Sequence, residues 1–257
     1  MTAPAPRILL LQARGDALTQ AEELAEFVEF SGLDPSQFTV LNGFECPDFA
    51  PSCIQGFDAL FIGGSSDATV LKPQVYRFVP PAMALILACI EQDIPVLASC
   101  FGFQLAVQAL GGEVIVDRDR MEMGTYAMYL TPEGEQDPLF QGCPNPFLAI
   151  SGHQERALRL PQGAILLAYS ERCPYHAFRL AGKPFYGFQF HPEVNDRDLI
   201  ARITRYCDRY HLDGHALARL KDSAQPTPHA NRLIQRFVEV VLGYSRVGSQ
   251  KILREMA

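Results

Sequence analysis

Apolar residues in this chain gather in short continuous runs, separated by longer stretches that are apolar on one side only. Residues 7–12, Arg7-Ile-Leu-Leu-Leu-Gln12, form the first run and read as a strand buried on both faces. Thr19 and Glu22 stand at capping-box spacing before a helical stripe of Ala21, Leu24, Ala25 and Val28, which Gly32 closes. Residues 37–41 and 57–62 give a second and third strand, the third ending in Gly63 and Gly64. A helical region interrupted near Pro80 and Pro81 follows, and then a fourth strand over residues 95–99. Strands that alternate with helices, each strand a continuous apolar run, predict an α/β fold with a mostly parallel central sheet and helices on both faces. Ligands of such sheets bind beyond the carboxyl ends of the strands.

After Gly112 the text becomes β-rich, with strands expected over residues 113–117, 125–130, 147–151, 165–169, 175–180 and 185–190. Beyond Val194 it turns helical, first around Leu199, Ile200, Ile203 and Tyr206. A second stripe of Ala230, Leu233, Ile234, Phe237, Val238 and Val241 follows Pro226-Thr-Pro228, and Gly243 is placed to end it. The expected division is a main domain over residues 1–195 and a helical extension over 196–257, with residues 220–228 the one linker-like stretch.

A chain of 257 residues with formal net charge −7 and no Lys/Arg block points away from nucleic acid and anionic membrane as partners. The longest apolar run, residues 82–90, is too short to span a bilayer. The first residues do not read as a signal peptide, so the cytoplasm is the expected compartment. Seven cysteines, at 46, 53, 89, 100, 143, 173 and 207, show no C-x-x-C and support neither disulfide nor metal. His211 and His215 have helical ligand spacing, but Gly214 and the lack of a third ligand leave no metal or cofactor expected.

One sulfur stands apart. Cys100 lies where the fourth strand turns into a helix, in Ala98-Ser-Cys100-Phe-Gly102-Phe-Gln104. Small-x-nucleophile-x-Gly is the strand-turn-helix elbow, whose strained nucleophile needs small neighbours, here Ala98 and Gly102. The first N–H groups of the following helix favour a thiolate there. An imidazole and a group to orient it are offered by Phe190-His-Pro-Glu193, where residues two apart in extended chain share a face and bring His191 beside Glu193.

On these motifs the chain resembles the class I glutamine amidotransferase family, of the type fused to synthetases such as GMP synthetase. Its G-x-C-x-G-x-Q elbow is matched by residues 98–104 and its F-H-P-E by residues 190–193. Weaker matches fall between in the right order: Gly63-Gly64 for the oxyanion strand, Glu122-x-Gly124, Asp137-Pro-Leu-Phe140 and His153-Gln-Glu155. Departures are Ala98 for the usual first glycine, Phe103 where histidine is common, and Gly63-Gly-Ser-Ser66 without the G-G-P ending.

The resemblance implies a flavodoxin-like architecture, with Cys100 as nucleophile, His191 as general base and acid, and Glu193 as the group that orients it. It implies an oxyanion site from the backbone N–H groups of Gly64, on the Gly63-Gly64 strand, and of Phe101, next to the nucleophile, and a substrate head group held by Gln104, Gln154 and Glu155. The expected reaction is hydrolysis of the side-chain amide of glutamine through a γ-glutamyl thioester. No Gly-rich phosphate loop is present and the residues after 195 are too few for a synthetase, so ammonia would go to a separate synthetase subunit, or the enzyme is a hydrolase. A γ-glutamyl peptidase acting on γ-glutamyl peptides or conjugates is the close alternative, and a non-catalytic regulatory module that keeps the fold is a third. Glu122 reads as an exposed strand carboxylate at least as well as a functional one, His153 as a structural hydrogen-bonder, and Met121 and Met123 as strand packing.

Overall fold

A computed structural model describes residues 5–205 and 214–245. Tyr206, Cys207 and His211 lie outside the described residues. The chain runs β1 (Ile8–Gln12), α1 (Ala17–Ser31), β2 (Phe38–Asn42), β3 (Ala59–Ile62), α2 (Val79–Glu91), β4 (Val96–Ser99), α3 (Phe101–Ala109), β5 (Glu113–Val116) and β6 (Glu122–Leu130). It continues α4 (Pro132–Gln136), β7 (Phe147–His153), β8 (Glu155–Arg159), β9 (Ala164–Tyr169), β10 (Ala177–Leu180), β11 (Phe185–Phe188), α5 (Asp196–Arg205), α6 (Gly214–Ser223) and α7 (Pro228–Val240).

Among the described residues the main sheet has the order β2-β1-β3-β4-β11-β10-β9-β6-β7. Its first five strands are parallel, and from β11 onward every neighbour is antiparallel. Strand order reverses between β1 and β3, which opens a crevice at their carboxyl ends. Gly63, Cys100 and the segment 189–193 all leave the sheet at that edge. A separate β5–β8 ribbon lies beside it.

The period-2 alternation of buried strands explains the two layers. Leu9, Leu11, Leu60, Ile62, Val96 and Ala98 face α2 and α3. Ile8, Leu10, Phe61, Leu97 and Phe188 face the opposite way, onto Phe27 of α1 and Leu233, Ile234 and Phe237 of α7. Phe237 meets Phe61 edge-on at 5.6 Å between ring centroids. Beyond the sheet's end, Leu199 and Ile203 of α5 and Leu220 of α6 cluster with Ile150 and Val194.

Several boundaries differ from the sequence reading, each for a local reason. Helix α1 starts earlier because Asp16, not Thr19, is its cap: the Asp16 carboxylate accepts from the Thr19 N–H at 2.9 Å. Pro80 and Pro81 do not interrupt a helix but occupy the first turn of α2, where a missing N–H costs nothing. The 220–228 linker shrinks because α6 runs to Ser223. Strands β6 and β7 extend to Glu122 and His153 because these two residues pair in register, and β8 is a strand the sequence reading lacked.

Candidate active site

Cys100 sits between β4 and α3 with φ 45° and ψ −93°, a left-handed conformation that side chains other than glycine rarely adopt. Such strain costs on the order of 1–3 kcal/mol and persists only where the surroundings fix it. Here the Cys100 N–H donates to Phe188 O at 2.7 Å, and its carbonyl accepts from the Gln104 N–H at 3.0 Å. Gly102 is required beside it, since a Cβ there would lie 2.8 Å from Ile62 Cβ. Phe101 opens α3 and so has no intrahelical acceptor for its N–H.

Beyond β11 the chain stays extended and alternates. Phe188 and Phe190 turn into the core, while Gln189, His191 and Glu193 take the other side. His191 Nδ1 lies 2.7 Å from Glu193 Oε1, and the Ser99 hydroxyl donates to Glu193 Oε2 at 2.7 Å. Glu193 is fully buried. Burial favours the neutral His191 ring, but the Cys100 sulfur and the Glu193 carboxylate outweigh it and push its pKa up to about 10. Burial likewise opposes the Glu193 charge, yet His191 and Ser99 hold the carboxyl below its ordinary range. The His191 N–H donates to Ile150 O at 2.8 Å, and Asn231 of α7 donates to the carbonyls of Pro192 and Val194 at 2.9 and 3.0 Å.

A cavity of about 310 Å³ opens over the sulfur. Phe101, Gln104, Gln154, Glu155 and His191 line it, as do Leu199 and Ile203 of α5. Gln104 Nε2 donates to Glu155 O at 2.9 Å, and the Glu155 carboxylate accepts from the Thr69 hydroxyl at 2.8 Å. Gly63 and Gly64 stand behind this lining. A Cβ on Gly63 would collide with the Glu23 carboxylate, and one on Gly64 would meet His191 Cε1 at 2.7 Å. The Gly64 N–H, expected to be open to an oxyanion, instead donates to Glu23 Oε1 at 3.1 Å. Glu23 is buried and also accepts from Arg14 Nε and Nη2, at 3.0 and 2.7 Å.

Glu122 corrects the reading of an exposed carboxylate: it is fully buried, because the strand pairing that continues to His153 turns it inward. Met121 is exposed ahead of β6 and joins no core cluster among the described residues, whereas Met123 joins the cluster around Ile150 and borders the cavity. His153 lies 3.1 Å from Glu122 through Nε2, the structural contact expected of it. Sequence reasoning missed Gln189, whose Nε2 donates to Cys100 Sγ at 3.7 Å. Its signal was one polar residue inside an otherwise aromatic run. Ser99, Glu23 and Asn231 carried no comparable signal.

The family model described as glutamine amidotransferase class-I matches residues 28–205. A GMP synthase (glutamine-hydrolyzing) subunit from Archaeoglobus fulgidus is 38% identical over 104 residues, 40% of this chain and 55% of that one. Its counterpart in Methanocaldococcus jannaschii is 38% identical over 105 residues, covering 41% and 54%. The GMP synthase (glutamine-hydrolyzing) of Thermosipho melanesiensis is 37% identical over 111 residues, 43% of this chain and 21% of that one. The chain therefore matches about half the length of the two archaeal relatives and about a fifth of the longer one. Among solved structures, a glutamine amidotransferase from Thermotoga maritima superposes with TM-score 0.73 at 19% identity, covering 92% of this chain and 98% of that one. A glutamine amido transferase from Methylobacillus flagellatus gives 0.69 at 22%, covering 95% and 97%. At these identities the likeness is one of fold.

Proposed function

The chain belongs to the class I glutamine amidotransferase family, and from that premise we propose that it hydrolyses the side-chain amide of glutamine through a γ-glutamyl thioester on Cys100. The observation that carries this reading is the buried pair of Glu193 and His191 at 2.7 Å, with the His191 ring interacting in turn with the Cys100 sulfur at the elbow. The sulfur attacks the amide carbon, and the oxyanion draws on the Phe101 N–H at the start of α3. The Gly64 N–H joins it once it leaves Glu23. His191 gives its proton to the departing ammonia, and water activated by His191 then attacks the thioester and releases glutamate. Glu193 orients the ring throughout, and Gln104, Gln154 and Glu155 border the space for the amino-acid head.

The archaeal relatives, named as single subunits of a GMP synthase, support an ammonia-accepting partner protein. One observation favours the γ-glutamyl peptidase reading instead: Leu199 and Ile203 of α5 also line the cavity, an apolar surface suited to a leaving group larger than ammonia. Glutamate release from glutamine and from γ-glutamyl dipeptides, each with and without cell extract, separates the two. Trapping of a glutamyl adduct on Cys100 by mass spectrometry, and its loss in Cys100→Ala with the fold kept, tests the mechanism common to both. Full activity in Cys100→Ala would overturn it.

A further inference from the structure

Two imidazoles and a thiol that the amide chemistry does not use converge at one wall of the site. His153 ends β7, while Cys173 and His176 sit in the turn between β9 and β10 with Cys-x-x-His spacing. All three are buried, and one donor atom from each lies within 4.8 Å of the others. Tetrahedral zinc takes nitrogen at about 2.0–2.1 Å and sulfur at about 2.3 Å, so its ligands stand roughly 3.5 Å apart. A closure of about 1 Å would bring these donors to that spacing.

Glu122 stands against both rings, with Oε2 3.1 Å from His153 Nε2 and 2.8 Å from His176 Nε2. It is itself fixed by the hydroxyls of Ser151, at 2.8 Å, and Ser170, at 2.5 Å. A carboxylate behind an imidazole is the arrangement that sets ring orientation and ligand basicity around bound metals. The second observation is His176 itself. Its Nε2 contact lies off the line of a good hydrogen bond, and its buried Nδ1 meets no hydrogen-bond partner among the described residues. A fully buried ring nitrogen left without a partner destabilises the fold unless something else takes its lone pair.

We propose that His153, Cys173 and His176 form a binding site for one thiophilic divalent cation of the zinc type, with Glu122 as the carboxylate behind the two imidazoles. Binding replaces the Cys173 S–H bond by an S–metal bond and releases one proton to solvent. The ion ties the β9–β10 turn to the end of β7. That strand end carries Gly152, whose carbonyl contacts the Cys100 sulfur at 3.9 Å. The site thus braces one wall of the catalytic cavity, a wall that His153 itself borders.

The test uses the full chain carrying Cys100→Ala, so that Cys100 and His191 cannot supply a competing thiolate site. Because the cluster is buried, Co²⁺ is offered both to the folded protein and during refolding, and zinc content is measured on the protein as purified. The expected result is one equivalent per chain, with a thiolate-to-cobalt charge-transfer band that Cys173→Ser removes. Glu122→Gln is expected to weaken binding by about 10–100-fold. His176→Gln keeps a hydrogen-bonding side chain and is expected to weaken it by at least about 10-fold, the loss typical of altered metal shells. Protection of Cys173 from alkylation by Zn²⁺ gives a readout that needs no variant at this cluster. A cluster that is only a hydrogen-bonded core would take up no stoichiometric metal by either route, or would bind equally in Cys173→Ser, and either result overturns the proposal.

Discussion

Gly64 donates its backbone N–H to Glu23 Oε1 over 3.1 Å, on a carboxylate already held by two hydrogen bonds from the Arg14 guanidinium. While that bond lasts, the N–H cannot receive an oxyanion. A charged acceptor holds an N–H by about 1.5–3 kcal/mol and a neutral one by about 0.5–1.5 kcal/mol, so removing the charge eases release by about 1 kcal/mol. Glu23→Gln is expected to raise kcat for glutamine about fivefold, the rate equivalent of that energy. Stability should fall by about 3–5 kcal/mol, because the buried Arg14 loses its counter-charge. Steady-state kinetics and urea unfolding check both. An unchanged kcat would mean that Phe101 carries the oxyanion without Gly64.

Asn231 reaches the site from α7, far along the chain, and fixes the Pro192 and Val194 carbonyls on either side of Glu193. Its own Oδ1 accepts from the Thr227 hydroxyl at 3.0 Å. It is a positioning residue. Asn231→Ala leaves two buried carbonyls without this donor, a loss of about 1–3 kcal/mol in stability. A displacement of about 1 Å in His191 would lower kcat by about 100-fold with KM little changed. Thr227→Val, which removes only the outer bond, should lower kcat less. Equal losses in kcat and KM in the two variants would assign Asn231 to general packing instead.

The pH dependence follows from opposite shifts on the His191 and Glu193 pair. His191 titrates at about 10 in the folded chain against 6.5 ordinarily, so its stabilising contribution is complete below about 6.5 and fades as pH rises toward 10. Glu193 titrates below 4.5, so its contribution is complete above about 4.5 and is lost as pH falls through its folded value. Both are complete between about 4.5 and 6.5. A melting-temperature profile should therefore decline on the alkaline side, and Glu193→Gln should flatten that decline. The alkaline limb of kcat/KM should move to lower pH in the same variant, since the imidazolium loses a neighbouring negative charge. A limb that stays in place would show that Glu193 does not set the ring's protonation.

What the sequence reveals divides by the distance over which each feature is set. The elbow at Cys100 and the approach of His191 to Glu193 are local, fixed by a strand-to-helix turn and by period-2 alternation. Runs such as Ile8 to Leu11 announce strands covered on both faces in the same way. Glu122 was misjudged because alternation shows that a face exists, not which face is buried; Ser170 and His176, from the far β9–β10 turn, decide that. Glu23 is one carboxylate among several on α1, and only its approach to Gly64 singles it out. Asn231 sits in an apolar helical stripe, and the loop it holds lies 37 to 39 residues earlier.

Gly102 and Ala98 flank Cys100, yet the structure gives them unequal roles. A Cβ on Gly102 would meet Ile62 Cβ and Cγ2 at 2.8 Å and the Ile62 carbonyl at 3.0 Å, so both a side chain and the backbone of β3 would have to shift. Ala98 already carries a Cβ and is fully buried with Ile62 and Val96 in the layer facing α3. Overpacking of this kind costs about 1–3 kcal/mol, and the strain falls on the start of α3, where Cys100 and Phe101 are placed. Gly102→Ala is therefore expected to lower stability by that amount and to slow labelling of Cys100 by a glutamine-like electrophile. Ala98→Gly removes one buried methyl, costs about 1 kcal/mol, and should leave the labelling rate nearly unchanged. Labelling measured on folded protein, beside urea midpoints for both variants, distinguishes a displaced elbow from mere loss of stability. Equal labelling in the two would show that the elbow tolerates a Cβ at position 102 without moving the sulfur.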